Sequence, residues 1–214
     1  MIPTLTEIRI AYDLAAAAYA DKFLDELTYK PSDVDLLNQF ALSVGTGQRV
    51  LDIGCGPGHT TAHLASLGLT PIGVDLSPEM VAKAKSLFPD LEFMVGDFFR
   101  LADHDGAVGG LLAFYCIVHL QIDQLLPVFS EMFRVLKSGG VLLLSFHIGS
   151  NTVLVENFLD TGASLEFSAF LLADVESALM SAGFAKIEIH ERPPYETEYP
   201  TNRCYIFAHK NEAA

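Results

Sequence analysis

Basic charge is what this chain has least of. Lys and Arg total 13 against 27 Asp and Glu, a formal net charge of −14 over 214 residues. A field of that sign repels phosphate backbones and anionic membrane surfaces, and no run of Lys and Arg offers a local exception. Neither nucleic acid nor membrane is therefore an expected partner. Cysteine is scarce as well. Cys55, Cys116 and Cys204 are odd in number, widely spaced and form no C-x-x-C pair. That argues against a disulfide framework or a zinc site, and for free buried thiols in a reducing, cytoplasmic compartment. The start of the chain carries Glu7 and Arg9 and lacks the basic n-region and apolar core of a signal peptide. The longest uncharged stretch near the middle, residues 106–122, contains His119, Gln121 and three glycines, too short and too polar for a transmembrane helix. No internal repeat, low-complexity linker, G-x-x-x-x-G-K-[ST] loop or Tyr-x-x-x-Lys pair is present.

What is present is a large apolar inventory in a regular order. Half of the residues are hydrophobic, enough for one core in one domain of this length. Residues 4–27 read as a helix with an Ala-rich centre. Lys30-Pro31-Ser32-Asp33 breaks it, and Ser32 or Asp33 is expected to cap a second helix reaching about Val44. Strands are expected at 49–53, 70–74, 91–95, 108–117 and 141–146, with helices between them at about 59–67, 77–88 and 122–136. Near-continuous apolar strands alternating with helices predict a doubly wound α/β sheet. The last third is different. Residues 149–167 read as irregular, 171–182 as a helix, and 186–191 and 203–209 as two strands that pair antiparallel at the sheet edge.

The strongest motif is Val50-Leu51-Asp52-Ile53-Gly54-Cys55-Gly56-Pro57-Gly58-His59. A strand runs directly into close glycines and then a helix, so a ligand can approach bare backbone and unpaired helical N–H groups. Asp75 falls at the end of the next strand, where a carboxylate can accept both hydroxyls of an adenosine ribose. The spacing is G-x-G-x-G rather than the G-x-G-x-x-G of dinucleotide-binding loops, which speaks against a nicotinamide cofactor.

These residues resemble motif I of the class I S-adenosylmethionine-dependent methyltransferases. Gly73-Val74-Asp75-Leu76-Ser77-Pro78-Glu79-Met80 resembles the family's second-strand motif. Gly96-Asp97-Phe98 and Leu136-Lys137-Ser138-Gly139-Gly140 resemble two later ones. The matches run in order from about residue 48 to 147. The resemblance implies a Rossmann-like, seven-stranded, mostly parallel sheet with its last strand antiparallel and helices on both faces. It implies S-adenosyl-L-methionine as cofactor and S-adenosyl-L-homocysteine as product. Gly54, Cys55 and Gly56 would face the methionine part, with the Cys55 thiol itself packing, and Asp52 would sit near its amino group. Asp75 would hold the ribose, Leu76 and Met80 would flank the adenine, and Asp97 with Phe98 would close its other side.

Methyl transfer asks a protein mainly for alignment. Tyr115 and His119 follow the fourth strand, so they are the candidate catalytic pair. His119 is read either as a base for the acceptor or as a helix-start packing group, and Tyr115 either as lining the cofactor or as packing. Tyr12 and Tyr19 share a helix face, and Tyr19 is the candidate cofactor contact in a lid. His147, Tyr195 and Arg203 are weaker candidates for the acceptor side. The expected parse is one domain: a helical lid (1–45), a cofactor-binding core (46–148) and an insertion with helix and edge strands (149–214). The expected acceptor is a small molecule, without a metal, in a monomer or homodimer. The competing reading is a non-catalytic sensor or partner subunit that binds the same cofactor.

Overall fold

The computed structural model describes residues 4–212. Five strands form the expected parallel array: β1 (Arg49–Ile53), β2 (Thr70–Asp75), β3 (Glu92–Val95), β4 (Val108–Phe114) and β5 (Leu136–His147). Two more close the sheet, β8 (Lys186–Arg192) and β9 (Arg203–His209), in the spatial order β3-β2-β1-β4-β5-β9-β8. β9 runs antiparallel to both β5 and β8. The last strand therefore lies inside the sheet and β8 takes the edge. Chain order reverses between β1 and β4, and ligands of open α/β sheets bind at such a crevice beyond the strand ends.

Alternate residues of the central strands feed two cores. Leu111, Leu142 and Leu144 pack with α5 (Leu125–Val135) and α6 (Leu172–Ala182). Leu112 and Leu143 pack with Leu36, Leu37 and Phe40 of α2 (Pro31–Val44). Each of these strand leucines is fully buried, a contribution of roughly 1.5–3 kcal/mol apiece. No described helix is long and apolar enough to cross a membrane.

α1 (Leu5–Phe23) starts on a capping box in which Thr4 and Glu7 satisfy each other's orphan groups. It ends earlier than expected, and a short 3-10 turn at Glu26–Thr28 follows. Neither Ser32 nor Asp33 caps α2. The helix opens on Pro31, whose missing N–H costs nothing there, with Lys30 as N-cap. Asp33 instead turns inward, 1% exposed. α3 (His59–Ser66) starts on Gly58 at φ +90°, and α4 (Pro78–Leu87) is capped by Ser77. Asp13 of α1 accepts the Ser77 hydroxyl at 2.6 Å, fixing α1 against the start of α4.

The segment expected to be irregular is structured. β6 (Thr152–Val155) and β7 (Leu165–Ser168) form a separate antiparallel hairpin. Its connection needs left-handed backbone at Asn157, Leu159 and Asp160. Its apolar side chains, Leu165, Phe158 and Phe167, pack on Ile8, Ala11 and Tyr12 of α1. α1 and the hairpin thus meet over the carboxyl ends of the strands.

Candidate functional site

The strand–loop–helix sequence at β1 sets the geometry. Gly54 (φ +72°) and Gly56 (φ +53°) both take left-handed backbone. A Cβ on Gly54 would come within 2.5 Å of the Cys116 Cβ, so only glycine lets β1 turn this close to the end of β4. A Cβ on Gly56 would instead project to 3.6 Å from the Tyr19 ring. Its absence leaves a cradle of bare backbone.

Asp75 faces this loop from the end of β2. Its Oδ2 accepts the Gly56 N–H at 2.8 Å and its Oδ1 accepts the Ser77 N–H at 2.9 Å. Each carboxylate oxygen keeps further acceptor capacity. Burial pushes the Asp75 carboxyl up to about 6, against the pull of those two N–H groups.

Two cavities meet above the loop. The smaller, about 90 Å³, is lined by Asp75, Leu76 and Met80 on one side and by Asp97 and Phe98 on the other. Tyr19, Gly54, Gly56, Tyr115 and His119 complete its wall. Of the twelve expected site residues, ten therefore converge here. The larger cavity, about 570 Å³, extends toward the hairpin and the β8–β9 loop. The two share Tyr12, Tyr19, Gly54, Gly56, Phe114 and Tyr115.

Two expected residues fall outside the smaller cavity. Asp52 lines neither one. Its Oδ2 accepts the hydroxyls of Thr60 (2.7 Å) and Thr61 (2.6 Å), so it braces the start of α3 from beneath the loop. Cys55 lines only the larger cavity and packs against Phe93 and Val81. Burial, followed by Asp75 and Asp52, pushes its thiol well up, which suits a packing group rather than a thiolate.

His119 does not offer a free base in this arrangement. Its Nδ1 lies 3.0 Å from the Glu166 carbonyl, which can only accept, so Nδ1 carries the proton. Its Nε2 then accepts from the Tyr12 hydroxyl at 2.7 Å. Burial holds the ring's pKa down to about 4, with the Glu166 carbonyl pulling the other way. His119 thereby joins α1 to the hairpin.

Tyr115 is a non-glycine residue at φ +53°, a conformation that needs outside support. Its N–H donates to Ser145, and its hydroxyl lies 2.6 Å from that of Tyr205. Tyr205 donates to Asp33 Oδ1 at 2.6 Å, and Arg192 reaches the same oxygen. Arg192 continues to Glu198, which lies 3.3 Å from Lys30 Nζ. Lys30 binds Glu26, and Glu26 binds His59. One polar network thus joins five distant segments beside the larger cavity. Only the Glu26–Lys30 spacing of four hinted at it in the sequence. Removing the hub hydroxyl with Tyr205→Phe leaves Tyr115, Asp33 and Arg192 each short of a partner. We expect a loss of about 1–3 kcal/mol, read as a lowered denaturant midpoint at unchanged slope. A midpoint equal to the parent's would show that the network is dispensable.

His147 and Arg203 line the larger cavity, whereas Tyr195 does not. The Tyr195 ring lies under the Arg192 guanidinium at 4.2 Å, and its hydroxyl accepts the Ser32 N–H. Among the described residues, no cluster of three or more His, Cys, Asp or Glu is placed to hold a metal.

Residues 50–140 match a family model described as a methyltransferase domain. An uncharacterized methyltransferase of Synechocystis sp. is 29% identical over 153 residues, which is 70% of this chain and 72% of that one. Demethylmenaquinone methyltransferase of Beutenbergia cavernae is 35% identical over 105 residues, but the match spans only 49% of this chain and 43% of the relative. Among solved structures, the 1,6-didemethyltoxoflavin-N1-methyltransferase of Burkholderia thailandensis, bound to 1,6-didemethyltoxoflavin and S-adenosylhomocysteine, superposes with a TM-score of 0.70. It covers 99% of this chain and 92% of that one at 18% identity, a likeness of fold.

Proposed function

The chain belongs to the class I S-adenosylmethionine-dependent methyltransferases, and from that premise we propose that it methylates a small molecule held in the larger cavity. The observation that carries this reading is the junction of the two cavities over the Gly54–Gly56 loop, with the Asp75 carboxylate at one side. When bound, S-adenosylmethionine supplies a methyl group already activated on a sulfonium.

The residues fit that group. Asp75 would accept the ribose hydroxyls on oxygens that two backbone N–H groups already orient. Leu76, Met80 and Phe98 would pack on the adenine, and Asp97 would accept from its amine. One Asp97 oxygen caps its own turn through the Phe99 and Arg100 N–H groups, and the other makes no protein hydrogen bond among the described residues. The bare backbone of Gly54 and Gly56 would carry the amino-acid end. Tyr12, Tyr19 and Tyr115 stand where the two cavities join, and their rings would border the sulfonium and set the approach of the acceptor. A cavity of about 570 Å³ suits a drug-sized molecule. Rings of Phe23, Phe114, Phe158 and Phe167 in its wall favour a flat, apolar body. α1 and the β6–β7 hairpin would lie over both ligands as a lid.

Parallel calorimetric titrations with S-adenosylmethionine, S-adenosylhomocysteine and NAD test the core of this reading. Binding of the first two without NAD supports it, and binding of NAD alone sinks it.

The same site predicts a pH dependence. A ribose hydroxyl donates to the ionised carboxyl, so binding favours the deprotonated form of Asp75. Protons should be released on binding near pH 6, where burial sets the free group. Affinity for S-adenosylhomocysteine should be flat above neutrality and fall below pH 6 by at most about tenfold per pH unit. Titrations in two buffers of different ionisation enthalpy measure the release. Affinity that stays constant from pH 5 to 8, at about the range that brackets this titration, would detach Asp75 from the ligand.

A further inference from the structure

The acids facing the larger cavity are spent. Glu26 gives one oxygen to Lys30 Nζ at 2.6 Å and the other to His59 Nε2 at 2.9 Å. Glu198 accepts from Arg192 Nη1 (2.6 Å) and Nη2 (3.0 Å) and from the Tyr195 N–H (2.8 Å). Asp33, behind the wall, holds Tyr205 and Arg192 on Oδ1 and is not among the residues lining the cavity. Glu26 and Glu198, the two acids that line the cavity, thus have both oxygens already paired, so an ammonium group on a ligand meets no unpaired carboxylate oxygen there.

The nitrogens are not spent. His147 and Arg203 are cross-strand partners at the ends of β5 and β9, and both line the cavity. Arg203 Nη1 donates to the carbonyls of Tyr199 and Thr201. Among the described residues, Arg203 Nη2 makes no hydrogen bond, and it is not one of the enclosed atoms. Its Nε is enclosed and also unpartnered, with Glu198 Oε2 3.4 Å away but outside hydrogen-bond geometry. His147 Nδ1 pairs with Thr201 Oγ1 at 2.8 Å, while its Nε2 has no partner among the described residues and is likewise not enclosed. Among the described residues, Lys22, at the same cavity, forms no ion pair. A chain of net charge −14 therefore keeps unspent donors in this one cavity.

An arginine only donates hydrogen bonds. Whatever completes this end of the cavity must accept them. Burial and then Arg203 hold His147 down to about 4, so its ring is neutral, and the tautomer with its proton on Nε2 can donate to the same oxygen while Nδ1 accepts from the Thr201 hydroxyl. The His147 ring centre is 5.5 Å from that of Tyr115, which borders both cavities. The unspent nitrogens thus lie one ring away from the cofactor cavity.

Resting on the methyl-transfer reading, we propose that His147 and Arg203 are the recognition end of the acceptor site. They select a flat, ring-bearing small molecule that carries a hydrogen-bond-accepting oxygen, as a carbonyl, carboxylate or phenolate. His147 and Arg203 are specificity residues, and Tyr115 separates their oxygen from the atom to be methylated.

The test is saturation-transfer NMR with benzoate, 2-hydroxybenzoate and benzylamine, on the protein with and without S-adenosylhomocysteine. The two oxygen probes should bind at millimolar concentration or better and benzylamine should not. His147→Phe and Arg203→Gln should each weaken the oxygen probes by about tenfold, with S-adenosylhomocysteine affinity and thermal midpoint unchanged for His147→Phe. Binding of benzylamine in preference, no binding of either oxygen probe, or full binding by both variants would overturn the proposal. Probes that bind through His147 and Arg203 in a protein with no affinity for S-adenosylhomocysteine would keep this site and remove the methyl-transfer reading instead.

Discussion

Asp75→Ala should weaken S-adenosylhomocysteine binding by roughly 100-fold, since charge-assisted hydrogen bonds contribute about 1.5–3 kcal/mol each and 1.4 kcal/mol is tenfold. Two effects add. The ribose loses its acceptor, and the Gly56 and Ser77 N–H groups lose theirs. The second effect loosens the loop that carries the amino-acid end, so the loss exceeds that of the ribose contacts alone. Asp75→Asn separates the two. Its carbonyl can satisfy one N–H, but its amide then turns a donor toward the other, so the loop stays partly tied while the negative charge is gone. We expect the asparagine variant to fall between parent and alanine, and its affinity to lose the dependence on pH near 6 that burial gives Asp75. Calorimetric titration above neutrality, with a thermal melt to confirm folding, makes the measurement. Affinity within a factor of about three of the parent for both variants, less than a single neutral hydrogen bond, would remove Asp75 from the cofactor site.

The parts of this molecule that could be read in the sequence are those specified locally. The glycine loop, Asp75 at a strand end, the Ser77-Pro78 cap and the alternation of strand and helix each sit within a few residues of chain, where backbone sterics and hydrophobic period act directly. What escaped depends on distant partners. Asp33 resembles a helix cap because its competitors for that oxygen, Tyr205 and Arg192, are over 150 residues away. At shorter range, the motif alone does not show that Asp52 also braces the start of α3 through the Thr60 and Thr61 hydroxyls. The β6–β7 hairpin lacks an Asn-Gly turn signal. Its register is set by packing Phe158, Leu165 and Phe167 on α1 rather than by its own connection. β9 could be read as a strand but not as an interior one, because its place follows from burial on both faces.

His119 is where sequence and structure part most usefully, and the difference can be measured. As a general base, His119→Ala would remove the acid limb that this ring, held down to about 4 by burial, sets on the pH–rate profile. As the piece that joins Tyr12 on α1 to Glu166 on the hairpin, it should leave the shape of that profile intact. We expect kcat/KM to fall roughly 30- to 100-fold, because two buried hydrogen bonds and a packed ring are lost together, about 2–3 kcal/mol. Most of the fall should appear in the affinities of both ligands, since the contact lies over the junction of the two cavities. Tyr12→Phe keeps the ring that packs on Phe158 and Tyr19 and loses one bond, so about tenfold is expected. In the double variant the two losses should not add, because each single change already breaks the same bond. Additive losses would mean that the Tyr12–His119 contact does not couple α1 to the hairpin. An acid limb that vanishes with His119 would mean that the ring leaves Tyr12 when the acceptor binds and takes its proton after all.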